Sequence, residues 1–309
     1  MRNLKFQISN LGFVGWAVPT LILCAILSGC TKKPESAASS AGSAQTNKQM
    51  RIISLAPNLT EILFALGMDD EIVGVTKYST FPPQAKTKTN VGTFWQPDIE
   101  AMLALSPTLM INLWFDQQAA VVSRMERAGC KVLTLRIETV EQLHEAILKM
   151  GQAVGKESAA EAMGQRLKDK QNEVTQKHAD AGNRPKVLWV IERYPLRVAG
   201  RNTFINELIE MAGGVNAIGP TQIQYPPINS EEVIGSMPDV IIEPVMDSEQ
   251  FDRQQSSAAE FYSRYEIVPA VRNGRIHIID GDLVSRLGPR LDEGVELIAA
   301  CLWQDEPKP

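Results

Sequence analysis

Lys156 to Gly182 reads KESAAEAMGQRLKDKQNEVTQKHADAG. Ser158 and Glu161 stand three apart, the spacing of a capping box that starts a helix. Gly182 is a stop signal, and Pro185 bars a restart. Between them the apolar residues keep to a thin stripe: Ala160, Met163, Leu167 and Val174. Nearly everything else is charged or carries an amide. A helix this polar is not a core helix; it fits a strut joining two bodies, or a long surface helix of one large domain. About 24 helical residues at ~1.5 Å each would span roughly 36 Å. Two similar halves flank the run, which favours the strut.

Before it, short apolar runs alternate with helical patterns. Arg51 to Leu55 is a predicted strand, and Asn58 with Glu61 is placed to cap a helix ending at Gly67. Strands are predicted at Glu71–Val75, Leu109–Asn112 and Lys131–Leu135, with helices opening at Pro97-Asp98, over Gln117–Gly129 and over Thr139–Val154. After the strut the pattern returns. Strands are predicted at Lys186–Ile191, Asp239–Ile242 and Arg275–Ile279. Helices are predicted at Thr203–Ala212 with Asn202 as cap, from Ser230-Glu231, over Tyr262–Arg272 and over Pro289–Trp303. This alternation implies parallel α/β packing. The halves also rhyme: Glu100 and Glu231 each lie in a first helical turn, seven residues before Pro107 and Pro238, which precede buried strands. Two such lobes on a rigid connector leave a cleft, a place ligands favour.

The ends of the chain read differently. Arg2 and Lys5 precede an apolar run closed by Leu27-Ser28-Gly29-Cys30, so residues 1–30 are a targeting segment. The ending resembles a bacterial lipobox, which implies cleavage before Cys30 and lipidation of its thiol; an uncleaved anchor is the alternative. Residues 31–49 are low-complexity and cannot bury a core, so they form a leash with an rms reach of roughly 25 Å. The expected organisation is a 50–155 lobe, a 156–182 backbone helix, a 183–304 lobe and a 305–309 tail, lying outside the cytoplasm and tethered to a membrane. The 309 residues are 44% hydrophobic and 22% charged with net charge −5, globular composition with no basic face for nucleic acid. Three histidines and four cysteines are too scattered for a C-x-x-C or His-cluster metal site.

The string RIISLAPNLTEILFALG from Arg51, then Tyr78-x-x-Phe81-Pro82-Pro83, Val91-Gly92, Glu100 and Leu105-Ser106-Pro107, resembles the iron-siderophore and cobalamin class of ABC-importer substrate-binding proteins. In the second half AGRNTFINELIEMAGGVN, Tyr225-Pro226-Pro227 and Pro289-Arg290 fit the same class. The resemblance covers Arg51 to about Trp303 and is strongest to cobalamin-binding members. It implies two Rossmann-like α/β lobes joined by one long helix, with little closure on ligand. It implies a monomer that captures cobalamin or a related corrinoid, with no cofactor of its own, and delivers it to an ABC-importer permease dimer.

The resemblance also assigns residues. One surface glutamate per lobe pairs with permease arginines in the class, at positions matching Glu100 and Glu231; first-turn acids against the helix dipole are the plainer reading, both can hold, and the matched placement in the two lobes favours docking. Neighbouring Glu232 is placed to substitute. Ligand-facing aromatics in the class match Tyr78, Phe94 and Tyr225; the last two are tryptophan in cobalamin binders, so this sequence keeps the ring and changes its type. Trp95, Trp114 and Tyr194 lie in loops at strand ends, where they either add stacking area or pack locally, whereas Trp189 is mid-strand and belongs to the core. Asp282 and Arg286 match polar ligand neighbours, and the pair also suits an i,i+4 ion pair. Arg193 and Arg201 would matter for an anionic ligand.

The second expectation within the class is a ferric siderophore or haem, with Tyr78 as an iron ligand. His144, His178 and His277 lie outside the predicted cleft loops. Cys130 and Cys301 fall in different lobes and are expected as buried free thiols, though the compartment permits a disulfide. A tethered enzyme is the remote third: no G-x-S-x-G or G-x-x-x-x-G-K-[ST] is present, and His144-Glu145 lacks a second zinc-protease histidine.

Overall fold

The computed structural model describes residues 49–178, 182–246 and 250–303. The leader, Cys30, nearly all of the leash and the 305–309 tail lie outside the described residues, and the expectations about them do too. The first lobe runs β1 (Ile52–Ser54), α1 (Pro57–Ala65), β2 (Ile72–Val75), β3 (Thr89–Asn90), α2 (Ile99–Ala104), β4 (Leu109–Leu113), α3 (Ala119–Arg127), β5 (Lys131–Leu135) and α4 (Val140–Val154). Its sheet has the order β3-β2-β1-β4-β5, every pairing parallel. Successive residues of β1 enter different cores: Ile52 packs with α1 and α4, while Ile53 packs with Met102 and Met125. A parallel sheet buried on both faces needs such unbroken apolar strands.

Next come α5 (Glu157–Lys177), β6 (Lys186–Arg193), β7 (Leu196–Val198), α6 (Phe204–Met211), β8 (Val215–Asn216), α7 (Ser230–Ser236), β9 (Val240–Val245), α8 (Phe251–Tyr262), α9 (Pro269–Arg272), β10 (Ile276–Asp280), α10 (Gly281–Val284) and α11 (Leu291–Leu302). The second sheet has the order β10-β9-β6-β7, and β8 pairs in parallel with the start of β6. Only β7 is antiparallel, folded back on the end of β6.

The two sheets are separate, and α5 joins the lobes. All four residues of its predicted stripe are buried, in one apolar core that runs from β1 and α4 to α6, α11 and Trp189 of β6. At a rise of ~1.5 Å per residue its 21 residues span roughly 32 Å. Its start differs from expectation. Ser158 and Glu161 form no capping box; the N-cap is Lys156, without a side-chain cap. The reason is the neighbouring helix. α4 is closed by Gly155 in the left-handed conformation, φ +69°, and only Gly155 and Lys156 link the pair. The Lys156 amide donates to the Gly151 carbonyl at 2.7 Å. A Cβ on Gly151 would lie 2.4 Å from that of Ala160, so the helices cross with backbone nearly touching side chain. The helix also stops at Lys177, short of Gly182.

Other caps shift by a residue or more. Pro57 occupies the first turn of α1 behind Ala56, so Asn58 and Glu61 are free to leave the cap. Thr203, not Asn202, caps α6, and Asn229 caps α7 through a capping box with Glu232. The β7 hairpin was not predicted. Neither was α8, whose polar sequence buries only Ala258, Phe261 and Tyr262. The helix expected over Tyr262–Arg272 is broken into a 3-10 turn and α9.

The lobes also meet directly, which the strut picture alone did not anticipate. Asn58 Nδ2 donates to the Leu287 carbonyl at 2.8 Å. Arg290 places Nε and one terminal nitrogen on the two Glu61 oxygens, each at 2.8 Å, with both side chains largely buried. The ring of Phe81 lies 3.9 Å from the Arg290 guanidinium carbon. On the strut, Arg166 bonds Asp292 at 2.6 Å and the Pro289 carbonyl at 2.9 Å. A buried pair is costly to break one-sidedly, since the remaining charge is stranded. Arg290→Met is expected to lower unfolding free energy by about 3 kcal/mol in urea titrations, and adding Glu61→Gln to recover much of it. An unchanged midpoint for the single variant would show the seam to be idle.

Candidate ligand-binding cleft

Parallel strands deliver their loops to one edge, and in open α/β sheets ligands bind beyond the strands' carboxyl ends. Here the Asn58–Leu287 contact joins the turn after β1 to the segment after β10, so carboxyl-end loops of both sheets face one seam. The candidate residues are built on these loops.

After β2, Thr76 and Ser79 are buried and share hydroxyl hydrogen bonds with Thr60 and Ser54, at 2.8 to 3.1 Å. Two anchored residues leave Tyr78, between them, pointing out. After β3, Gly92 turns at φ +95°, where a Cβ would meet the Gln96 carbonyl oxygen at 2.5 Å. The Thr93 and Gln96 backbones bond across the turn at 3.0 Å, and its two middle residues are Phe94 and Trp95. The Lys77 amide donates to the Gly92 carbonyl at 2.8 Å, which ties the Tyr78 loop to this turn. Phe94, Trp95 and Phe115 form a ring cluster with centroids 4.9 to 5.8 Å apart. Trp114, just after β4, lies under Arg136 at 5.1 Å. Tyr78, Trp95, Trp114 and Tyr194 are 58, 66, 53 and 72% exposed, high values for large rings. Grouped exposed apolar surface marks an interaction site.

In the second lobe, Tyr194 sits at the β6–β7 turn with its edge on Phe261 at 5.3 Å. It borders a cavity of about 490 Å³ whose floor holds Arg193. That arginine, a candidate for an anionic ligand, is already engaged. Both Glu243 oxygens accept from its Nε at 3.0 Å, Ser257 Oγ accepts at 2.7 Å, and Tyr262 donates to the same carboxylate. Burial and that carboxylate push the Tyr262 hydroxyl far above the ordinary phenol range. Arg201 likewise serves the fold, donating to the Ile218 carbonyl at 3.0 Å. A neighbouring cavity of about 310 Å³ holds Tyr225, Ser285 and Trp189. The two cavities share Ile191, Pro244 and Met246. Asp282 and Arg286 form an ion pair across α10, partly exposed.

The predicted residues therefore fall in two groups. Phe94, Trp95, Trp114 and Tyr78 are displayed by neighbouring loops of the first lobe; Tyr225, Tyr194 and the Asp282–Arg286 segment lie on the second. The two second-lobe cavities are lined by Tyr194 and Tyr225 and by none of the first-lobe rings. Phe115, Ile191 and Met246 were missed. The sequence hint for Phe115 was its position beside Trp114; the other two look like ordinary strand residues. Trp189 is core, as expected, yet also lines a cavity.

Glu100 and Glu231 are exposed in the first turns of α2 and α7. Glu232 cannot freely replace its neighbour, because its carboxylate accepts from the Asn229 amide at 2.8 Å. His144 packs between α4 and α5, His178 stacks on Trp303 at 4.8 Å, and His277 lies within β10. Burial pushes all three below the ordinary histidine range. No cluster of His, Cys, Asp or Glu among the described residues could hold a metal ion. Cys130 and Cys301 are free and buried, and burial pushes each thiol up to about 11. In protein starting after Cys30, a thiol reagent at pH 8 is expected to find none in the native state and two after unfolding. Rapid native labelling would place either thiol at the surface.

A family model described as periplasmic binding protein matches residues 52–283. An uncharacterized ABC transporter substrate-binding lipoprotein, YvrC, from Bacillus subtilis is 28% identical over 261 residues, covering 82% of this chain and 80% of that protein. A vitamin B12-binding protein from Vibrio cholerae is 26% identical over 260 residues, covering 82% of this chain and 88% of that one. Among solved structures, the periplasmic heme-binding protein RhuT from Roseiflexus superposes with a TM-score of 0.74 at 26% identity, covering 83% of this chain and 98% of that chain.

Proposed function

The chain belongs to the periplasmic binding protein family, and from that premise we propose that it captures cobalamin or a related corrinoid outside the cytoplasm and hands it to an ABC importer. It acts as a binding module, not an enzyme. The charge state of the cleft carries the ligand choice. Arg193 is held by Glu243, Arg286 by Asp282, and Arg136 by Glu138 at 2.9 Å, while Arg201 is spent on backbone carbonyls. A carboxylate-bearing ligand would have to displace one of these partners or rely on Lys77, whose Nζ lies 5.5 Å from the Tyr78 ring. A corrinoid asks for less: a flat ring needs aromatic faces, and its amide fringe needs neutral hydrogen-bond partners. Tyr78, Phe94, Trp95, Trp114, Tyr194 and Tyr225 supply the faces, and Asp282 with Arg286 the polar edge.

Haem is the second reading. It is favoured by the likeness to the Roseiflexus protein and by Tyr78, whose exposed hydroxyl makes no hydrogen bond among the described residues and would serve as an iron ligand. Gel filtration after incubation with cyanocobalamin, haemin or a ferric siderophore separates the readings by absorbance. Cyanocobalamin is expected to co-elute; retention of haemin alone would replace it.

Delivery assigns Glu100 and Glu231 to the permease. Two exposed carboxylates on a rigid body fix orientation as well as attraction. Lipidated Cys30 and the leash hold the body near the membrane, a role matched by the lipoprotein name of the Bacillus relative. Reversing both glutamates to lysine is expected to abolish uptake at unchanged ligand affinity, while Cys30→Ala releases the chain from the membrane fraction. Normal uptake by the double reversal would remove the docking role.

A further inference from the structure

The aromatic residues of the first lobe sit on two loops, and one buried side chain ties those loops together. Phe94 and Trp95 lie in the turn after β3, and Trp114 and Phe115 follow β4. Gln118 ends the 3-10 turn Asp116–Gln118 that continues the second loop. Its backbone N–H donates to the Phe115 carbonyl at 2.9 Å. Its side chain crosses to the first loop, where Nε2 donates to the Phe94 carbonyl at 2.8 Å. Behind it stands Asn112, whose Nδ2 donates to Gln118 Oε1 at 3.2 Å and whose Oδ1 accepts from the Thr134 hydroxyl at 2.9 Å. Asn112 and Thr134 are register partners on β4 and β5, so the sheet sets the base of this relay.

The far end fixes the direction of the relay. A backbone carbonyl only accepts, so Gln118 turns its NH₂ to Phe94 and its oxygen to Asn112. Asn112 and Gln118 are 1 and 2% exposed, so solvent does not reach in to replace a lost partner. No charged side chain hydrogen-bonds to the relay among the described residues. A buried polar chain whose members all have partners is stiff and specifies one arrangement. An apolar side chain would fill the same space without needing partners. What glutamine supplies here is geometry: the ring pairs Phe94–Phe115 and Trp95–Phe115, at 5.8 and 4.9 Å, span the two loops that it joins.

We infer that Gln118 is a positioning residue for ligand binding: it holds the Phe94–Trp95 turn against the Trp114–Phe115 loop so that their rings present one face. Being buried, it acts through those rings and not by contact with the ligand. The inference rests on the reading of these rings as a ligand face and deepens it.

Gln118→Glu keeps the shape and makes the donor depend on a proton. A buried carboxyl without a cation titrates above its ordinary range. Protonated, it donates to the Phe94 carbonyl as the amide does; ionised, it sets one acceptor against another. In the full chain, its cyanocobalamin affinity relative to wild type is expected to lie near one at pH 5 and to drop about tenfold by pH 8, the upper end for one hydrogen bond. Near-UV circular dichroism, which senses ring packing, should shift over the same range in the variant alone. Gln118→Leu removes the donor at every pH and is expected to bind about tenfold more weakly throughout. Each measurement is made where melting curves show the variant folded, and Gln118→Glu decides the matter should Gln118→Leu fail to fold. Relative affinity near one at every pH for each variant that folds, whatever its melting temperature, makes Gln118 a packing residue and overturns the assignment. Wild type that retains haemin and not cyanocobalamin overturns the corrinoid reading alone, and haemin then serves as the probe. Wild type that retains no chromophore overturns the ring face, and the role of Gln118 with it.

Discussion

Four apolar residues on a polar helix carry the architecture. Ala160, Met163, Leu167 and Val174 are all the core that α5 offers, and both lobes use it. α4 packs against the helix, and so do α6 and α11 of the second lobe. A wider stripe would have drawn one lobe around the helix; a narrower one would have left it without packing. Because the stripe is shared, the sheets stay separate while the hydrophobic core does not. Rigidity between the lobes then comes from two sources. One is this core; the other is the buried Glu61–Arg290 pair at the seam, with Phe81 against the guanidinium.

That frame explains the cleft. All strands but β7 run parallel, so each lobe offers its loops from one edge, and the seam turns those edges toward one another. The loops are stiffened from behind. Hydroxyls of Ser54, Thr60, Thr76 and Ser79 pin the segment holding Tyr78, and Gly92 closes the turn that displays Phe94 and Trp95. Large rings stay exposed because their flanking residues are the ones held down. Such preorganisation would spare a bound ligand the cost of ordering these loops.

Much of this was legible in the sequence, and the failures share a cause. The α5 stripe, the parallel α/β alternation and the loop positions of the aromatics depend on local periodicity and turn residues, which a sequence displays. Caps at Ser158, Asn58 and Asn202 were misplaced because tertiary packing fixed each helix start, most plainly where Gly155 forces α5 to begin at Glu157. Arg193 looked available because its partner Glu243 lies 50 residues away on another strand. The Glu61–Arg290 pair was hidden for the same reason, its members standing 229 residues apart. β7 escaped notice because three residues of strand leave no period to read, and α8 because its buried side is thin.

The crossing at Gly151 gives the long helix the mechanics of a pointer. Its base is set by one missing methyl group against Ala160, and its far end packs on the second lobe. A tilt of about 5° at the pivot would swing the far end of a ~32 Å helix by roughly 3 Å. A side chain at position 151 would therefore leave each lobe's own sheet intact and change where the second one is aimed. The aim of the second lobe is thus set in part by an α-helical hairpin, alongside the Glu61–Arg290 pair.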